Sequence, residues 1–326
     1  MMLREACKSR RISKIDAQTP LLVPSFSSVV CDIPSEMYAK LKDHIADASL
    51  FSAYDLLLGK VTQEDIWVSD VVFIDSGNYE IQHIKNALKQ IGMTRKPREW
   101  TLEIYSSIVD SLRPPSFTKA ILVSYDMKKV LSKQISSASS FFARHKQFAT
   151  CFLCKPCDES STKVDVKSLV ENVASIDQFD VLGLTEKELG NSLLSRCTNI
   201  LEIRKALNSR GSTIPIHVFG CLDPVSIISY FFCGADIFDG TLWLKYGFHN
   251  NAAFYLNNYA LLTGKWMSTD AGVLVISWIL NLEYLRKLMS YMRRYTQDQD
   301  GKVFGFDPKI MEQITDLTST AASCVR

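Results

Sequence analysis

This chain has no long apolar run, no export signal, no glycine-rich turn after its first strand segment and no excess of one charge sign. The longest apolar stretch, residues 271–282, is well short of the about 20 residues a helix needs to cross a bilayer, and it runs on into the charged segment 283–294. No membrane partner is expected. Residues 1–15 are basic and polar (Arg4, Lys8, Arg10, Arg11, Lys14) and lack the apolar core of a secretory leader, so a cytoplasmic protein is expected. The nine cysteines, an odd number, fit reduced thiols rather than disulfides in that setting. Lysine and arginine number 37 against 35 aspartate and glutamate. Overall charge therefore does not decide for or against a nucleic-acid partner, and any binding face must be a local patch.

With 326 residues, 47% of them hydrophobic, the chain can bury one large core. Short β-rich segments alternate with longer helical patterns, the arrangement that builds a parallel sheet from βα units. Strands are predicted at 21–24, 50–53, 71–75, 120–125, 148–154, 179–184, 216–219 and 235–239. Helices are predicted at 35–47, 79–91, 99–112, 127–145, 166–174, 186–209 and 223–233, with Ser35 and Asp223 as capping residues. Eight strands with helices between them predict a (β/α)₈ TIM barrel; a doubly wound sheet is the competing architecture, which the missing glycine-rich turn disfavours. The barrel with its C-terminal helical extension is placed at 19–295, after a basic segment 1–18 and before a polar tail 296–326 that packs outside it.

In such a barrel, active residues stand at the C-terminal ends of the strands. Three predicted strands end on or next to a carboxylate: Asp75, followed by Ser76, Gly77, Asn78 and Tyr79; Asp126, after Ser124 and Tyr125; and Asp239, before Gly240. One such aspartate is as readily a helix cap, but three meeting at one mouth point to chemistry. Glu188, just past the sixth strand, is a weaker candidate for the same rim. Converging acids beside Tyr79 suit a flat, hydrogen-bonding ligand: one acid serves as nucleophile, one moves a proton, and one accepts from ring N–H groups. A purine-like base fits, and it must leave its stack to reach the cup. His217, in an apolar strand, and His145, at a helix end, are read as structural. Cys151, Cys154 and Cys157 have a metal-like spacing, but residues three apart in a strand face opposite ways and no second Cys/His cluster follows, so no metal is expected.

The same residues resemble the tRNA-guanine transglycosylase family. Asp75-Ser76-Gly77-Asn78-Tyr79 is similar to its Asp-Ser-Gly-Gly-(Phe/Tyr)-Gln motif, and Ile237-Phe238-Asp239 to its Met-Phe-Asp nucleophile motif. Thr19-Pro20, Tyr54-Asp55-Leu56-Leu57-Leu58, Gly183-Leu184 with Glu188, and His217-Val218-Phe219-Gly220 with Asp223-Pro224 resemble further family segments in the same order. The resemblance implies that Asp239 attacks C1′ of the target nucleoside to form a covalent intermediate and that Asp75 is the general acid and base. It further implies that Asp126 reads the Watson–Crick edge, Tyr79 stacks on the base, Gly183, Leu184 and Gly220 help to bind it, Glu188 meets a substituent of the deazaguanine, and Ser76 supports the pocket. It calls for no cofactor.

Where the family has a second glycine and a glutamine, this chain has Asn78 and Glu80; Cys154-Lys155-Pro156 stands in place of a Gln-Gly-Gly. Residues 241–246 replace a basic stretch that follows the nucleophile, and the family's Cys-x-Cys-x-x-Cys zinc cluster has no counterpart. These departures resemble the 7-deazaguanine DNA transglycosylases, so the implied partners are DNA ahead of tRNA, a 7-deazaguanine base and, in some members, a further copy or subunit. The basic N-terminal segment and Arg95-Lys96-Pro97-Arg98 are candidate phosphate contacts. A non-catalytic partner subunit and a barrel enzyme acting on a free nucleoside remain as rival readings.

Overall fold

Eight short apolar segments pair in parallel: β1 (Leu21–Pro24), β2 (Ala48–Ser52), β3 (Val71–Asp75), β4 (Lys119–Val123), β5 (Ala149–Cys154), β6 (Val181–Thr185), β7 (Ile216–Phe219) and β8 (Ile237–Gly240). Each strand is too short and too apolar to stand alone, and the chain covers both faces of the sheet, with side chains inside and helices outside. Neighbours follow chain order from β2 to β8, and β8 pairs with β1, Asp239 lying beside Val23. The last gap closes at a bridge between Ser25 and Leu50, where the Phe26 N–H donates to the Leu50 carbonyl at 2.9 Å. This is a (β/α)₈ barrel in a computed structural model that describes residues 6–31, 33, 35–45, 47–90 and 97–325. All eight predicted strands are present, with ends displaced by at most two residues.

The helices differ more from expectation, because propensity does not mark where a loop must first cross the barrel rim. The segment predicted as helix at 127–145 becomes α6 (Leu131–Arg144) after α1 (Ser35–Lys42), α2 (Ala53–Leu58), α3 (Gln63–Ile66), α4 (Asn78–Gln90) and α5 (Leu102–Ser111). After α7 (Val166–Glu171), the helix predicted at 186–209 splits into a 3₁₀ turn, Glu186–Glu188, and α8 (Leu193–Ser209). Ser192 starts α8 through a capping box with Ser195, which sets the helix start beyond the pocket loop. Asp223 caps α9 (Pro224–Phe232), its carboxylate accepting from the Ser226 N–H at 2.9 Å. Beyond β8 the chain makes α10 (Leu256–Leu262), the 29-residue α11 (Asp270–Asp298) and α12 (Pro308–Cys324). The polar tail is thus largely a helix; its stripe of Ile314, Thr318 and Ala321 is buried, and it lies on α8 and α9. Among the described residues no helix is long and apolar enough to cross a membrane.

The N-terminal segment closes the barrel floor instead of presenting cations to solvent. A two-residue ribbon, Arg11–Ile12 with Ala17–Gln18, lies there, and Arg10 is buried with its guanidinium 2.5 Å from Asp236 Oδ1. Arg204, fully buried on α8, contacts Asp236 Oδ2 at 2.5 Å, and the Ile216 N–H donates to the same oxygen at 2.7 Å. The candidacy of Arg10 as a phosphate contact is therefore corrected: burying Asp236 demands paired donors, and Arg10 supplies them. Arg11 pairs with Asp16 at 2.8 Å. Arg4, Arg95 and Lys96 lie outside the described residues, and Arg98 donates to the Leu57 carbonyl at 2.9 Å.

Removing one arm of this floor strands a buried charge. Arg204→Ala is expected to lower stability by about 3 kcal/mol or more in urea unfolding. A loss below about 1 kcal/mol would mean that Arg10 and the Ile216 amide satisfy Asp236 alone.

Candidate active site

The C-terminal ends of all eight strands contribute to one cup of about 560 Å³. Around it stand Ser25 after β1, Ser52 on β2, Asp75 on β3, Asp126 after β4, Lys155 after β5, Thr185 on β6, Gly220 after β7 and Asp239 on β8. The convergence of Asp75, Asp126 and Asp239 expected from their strand positions is observed, with Tyr79 and Glu188 on the same wall.

Asp239 is the most constrained of the acids. Its Oδ2 accepts from the Ser25 hydroxyl at 2.7 Å, and its Oδ1 meets His217 Nε2 at 3.0 Å and the Gly220 N–H at 3.2 Å. A carboxylate partner places the His217 ring proton on Nε2, and Nδ1 is left buried without a partner. The imidazole is fixed by rings, stacked on Phe219 at 3.8 Å between centroids and meeting Phe73 edge-on at 4.9 Å. Gly183 makes room for this stack: a Cβ there would lie 2.7 Å from the Phe219 ring and 3.2 Å from Cys151 Sγ. His217, read from sequence as structural, thus orients the central carboxylate. The available signal was a histidine that shares the inward face of an apolar strand with Phe219, two residues on, beside a neighbouring strand that ends in Asp.

Asp75 accepts the Gly77 N–H at 3.0 Å, closing the turn into α4. Gly77 needs its positive φ of 86°, and a Cβ would come within 2.4 Å of Tyr54 Cβ. Burial pushes the Asp75 carboxyl up to about 6, the charges of Asp126 and Asp239 adding to the rise and the amides of Gly77 and Ser76 opposing it. Glu80, on the first turn of α4, is also buried. Burial and then the charge of Asp55 push it up to about 7, while Ser27 donates to its Oε1 at 2.5 Å and its Oε2 has no partner.

Lys155 is a buried cation on the cup wall. Its ammonium lies 2.8 Å from Glu188 Oε1, 3.3 Å from Asp126 Oδ2 and 3.2 Å from Thr185 Oγ1. Burial alone would lower its pKa, but Asp126 and Glu188 outweigh that and raise it. Gln134 holds its backbone on both sides, accepting from the Lys155 N–H at 2.9 Å and donating to its carbonyl at 2.8 Å. Asp126 also accepts from Asn78 Nδ2 at 3.0 Å, and Glu188 keeps a second buried oxygen without a partner. Lys155, Ser25 and Glu80 escaped the sequence reading as site residues, although a lysine directly after a largely apolar strand was visible.

Three expected binding residues do not line the cup. Ser76 is buried behind it, its carbonyl accepting from Trp100 Nε1 at 2.7 Å. Gly183 and Leu184 lie inside β6, paired to β5 and β7, and by strand alternation Leu184 faces the helices. Thr185, Lys187 and Glu188 take their place at the mouth. Cys151 faces the barrel interior beside Gly183, Cys154 contacts the Lys155 carbonyl, and Cys157 lies by Asp158 and Ser161. Among the described residues no group of three His, Cys, Asp or Glu side chains converges as metal ligands would. His145 bonds to the Phe141 carbonyl and Asp110, a structural role.

No protein-family model and no curated protein sequence matches this chain.

Because the Asp75 pKa lies above its ordinary 3.8, the folded protein holds that proton between about pH 4 and 6, where the unfolded chain has released it. The stability tied to neutral Asp75 is present at low pH and lost as pH rises through 6. Asp75→Asn is therefore expected to be more stable than the parent at pH 7.5 by about 1–3 kcal/mol, with the gain vanishing toward pH 4 in parallel urea titrations. A gain that does not depend on pH would show that the carboxyl is not strained.

Proposed function

We propose that this chain is a transglycosylase that exchanges guanine in a nucleic acid, DNA ahead of tRNA, for a 7-deazaguanine base. The observation that carries the reading is the pairing of two unlike carboxyls in one cup: Asp239, oriented by Ser25, His217 and Gly220, and Asp75, raised to about 6. A carboxylate with fixed geometry suits attack on an anomeric carbon, and an acid with a pKa near neutrality suits proton transfer in both directions.

An Asp239 oxygen bonds to C1′ as the C1′–N9 bond breaks. The electron pair goes to the leaving guanine, which takes its proton from Asp75. The incoming base returns a proton to Asp75 as its N9 attacks C1′, and the Asp239 ester bond breaks. Asp126 accepts from the N–H groups of the base edge, Tyr79 covers its face, and the unpartnered Glu188 oxygen is available to a donor on the 7-substituent. Preference for DNA is supported by residues 241–246. They form a 3₁₀ turn, Leu242–Leu244, whose Trp243 and Leu244 are buried, leaving Lys245 as the segment's single cation where the resembled tRNA enzymes carry a basic stretch.

Exchange of radiolabelled guanine into DNA and into tRNA, with denaturing gels to trap the adduct, tests the reading. Label is expected in DNA, with no adduct in Asp239→Asn and exchange slowed by about 10²–10⁴ in Asp75→Asn. Label in tRNA alone would move the substrate to RNA. Absence of label and adduct with both polymers would sink the proposal.

A further inference from the structure

The cavity does not end at the cup. On α4, Tyr79, Gln82, His83 and Asn86 all line it. Their spacing of i, i+3, i+4 and i+7 is one face of a helix, while Glu80 and Ile81 point into the protein. That face is polar and aromatic and left open: Gln82, His83 and Asn86 are exposed, Tyr79 is 41% exposed, and the Tyr79 and His83 rings lie 4.4 Å apart.

Charge is segregated along the same cleft. The cup holds Asp75, Glu80, Asp126, Glu188 and Asp239 against the one buried cation Lys155, whereas the rim carries Lys128, Lys187 and the exposed Glu159, with Lys245 beside His83. Lys128 is shared with Glu159 at 3.7 Å, while Lys187 and Lys245 are exposed and have no ion pair among the described residues. Partial burial, then Lys245 and Lys187, lower the His83 pKa and so favour its uncharged ring. A ligand that fits is rich in N–H donors inside and anionic outside, with a further planar group next to the one in the cup.

We infer that the α4 face with Lys187 and Lys245 is a track for single-stranded DNA, on which phosphates flanking the inserted nucleotide meet the two lysines and a neighbouring base stacks on His83. The inference rests on the nucleic-acid reading above and names the surface that reading leaves open. Base stacking on exposed rings and phosphate pairing with unpaired lysines are the two contacts by which single strands are held without sequence preference.

The test is anisotropy binding of a guanine-free single-stranded DNA oligonucleotide between 50 and 200 mM salt, conditions in which no exchange can occur. Lys187→Ala and Lys245→Ala are each expected to weaken binding about three- to tenfold and to reduce the slope of log affinity against log salt by about 0.7. His83→Ala is expected to weaken binding about tenfold with the slope kept, and His83→Phe to restore it. Lys119→Ala, an exposed lysine at the opposite end of the barrel, is the control and is expected to bind as the parent does. Affinities and slopes for Lys187→Ala and Lys245→Ala within twofold of the parent, or an equal loss in Lys119→Ala, would overturn the track. Salt-dependent binding lost in the two rim variants, in a protein that exchanges no base, would support the track while removing the transglycosylase reading.

Discussion

Ser25 ties the first strand of the barrel to β2 on one side and to the chain around β8 on the other, its N–H donating to the Gly240 carbonyl at 3.1 Å. It forms the bridge to Leu50 at which the barrel closes, its hydroxyl donates to Asp239 at 2.7 Å, and its carbonyl accepts from Trp243 Nε1 at 3.0 Å. Asn281 on α11 in turn donates to the carbonyls of Trp243 and Tyr246 and accepts from the Phe248 N–H. The long C-terminal helix thus fixes the segment after β8, that segment fixes Ser25, and Ser25 fixes the central carboxylate. A barrel left open at β1 and β2 would lose the site and the closure together, because one residue serves both.

The cup is electrostatically costly. Five buried or half-buried carboxyls share it with one buried cation, and burial first, with the charges of neighbouring acids adding to it, holds Asp75 and Glu80 above their ordinary values. Asp239 lies in the same field but receives three donors, which spread over both its oxygens. Neighbouring acids are thereby given different characters by their hydrogen bonds and burial alone, which is how two carboxyls of one type come to serve different steps of a reaction. Lys155 has a similar logic: a cation held between Asp126 and Glu188 lets both remain close to each other inside the protein.

Strand positions were legible because a buried parallel strand is a short apolar run with polar punctuation, and Val71–Asp75 and Ile216–Phe219 fall at their predicted bounds. Polar residues at strand ends were legible for the same reason, which is why Asp75, Asp126 and Asp239 were found. His217 was not, since a histidine inside an apolar strand is usually a packed one, and its partner lies on a neighbouring strand 22 residues further along the chain. Ser25 and Asp239 are 214 residues apart, so no local pattern could pair them. Glu80 stood out in the sequence only as a departure from the family's glutamine; the fold shows that the first turn of α4 brings it to the cup. Gly183 was singled out for an amide that would bind the base, but it does not line the cup; its missing side chain instead admits the Phe219 ring that stacks on His217.

Asp236 and Asp239 show how far position along one strand decides the fate of a side chain. They are three residues apart, have the same chemistry and are both buried. Asp236, just before β8, meets Arg10 and Arg204 and becomes the ionic floor of the barrel. Asp239, at the other end, meets no lysine or arginine among the described residues, only a hydroxyl, an imidazole and an amide, and its face opens on the cavity. A bidentate guanidinium would occupy both oxygens of a carboxylate, whereas the hydroxyl, imidazole and amide at Asp239 orient it and leave one side open to the cavity. The strands run in one direction, so the barrel has two unlike ends, and the chain places full neutralisation at the closed end and partial satisfaction at the end that opens on the cavity.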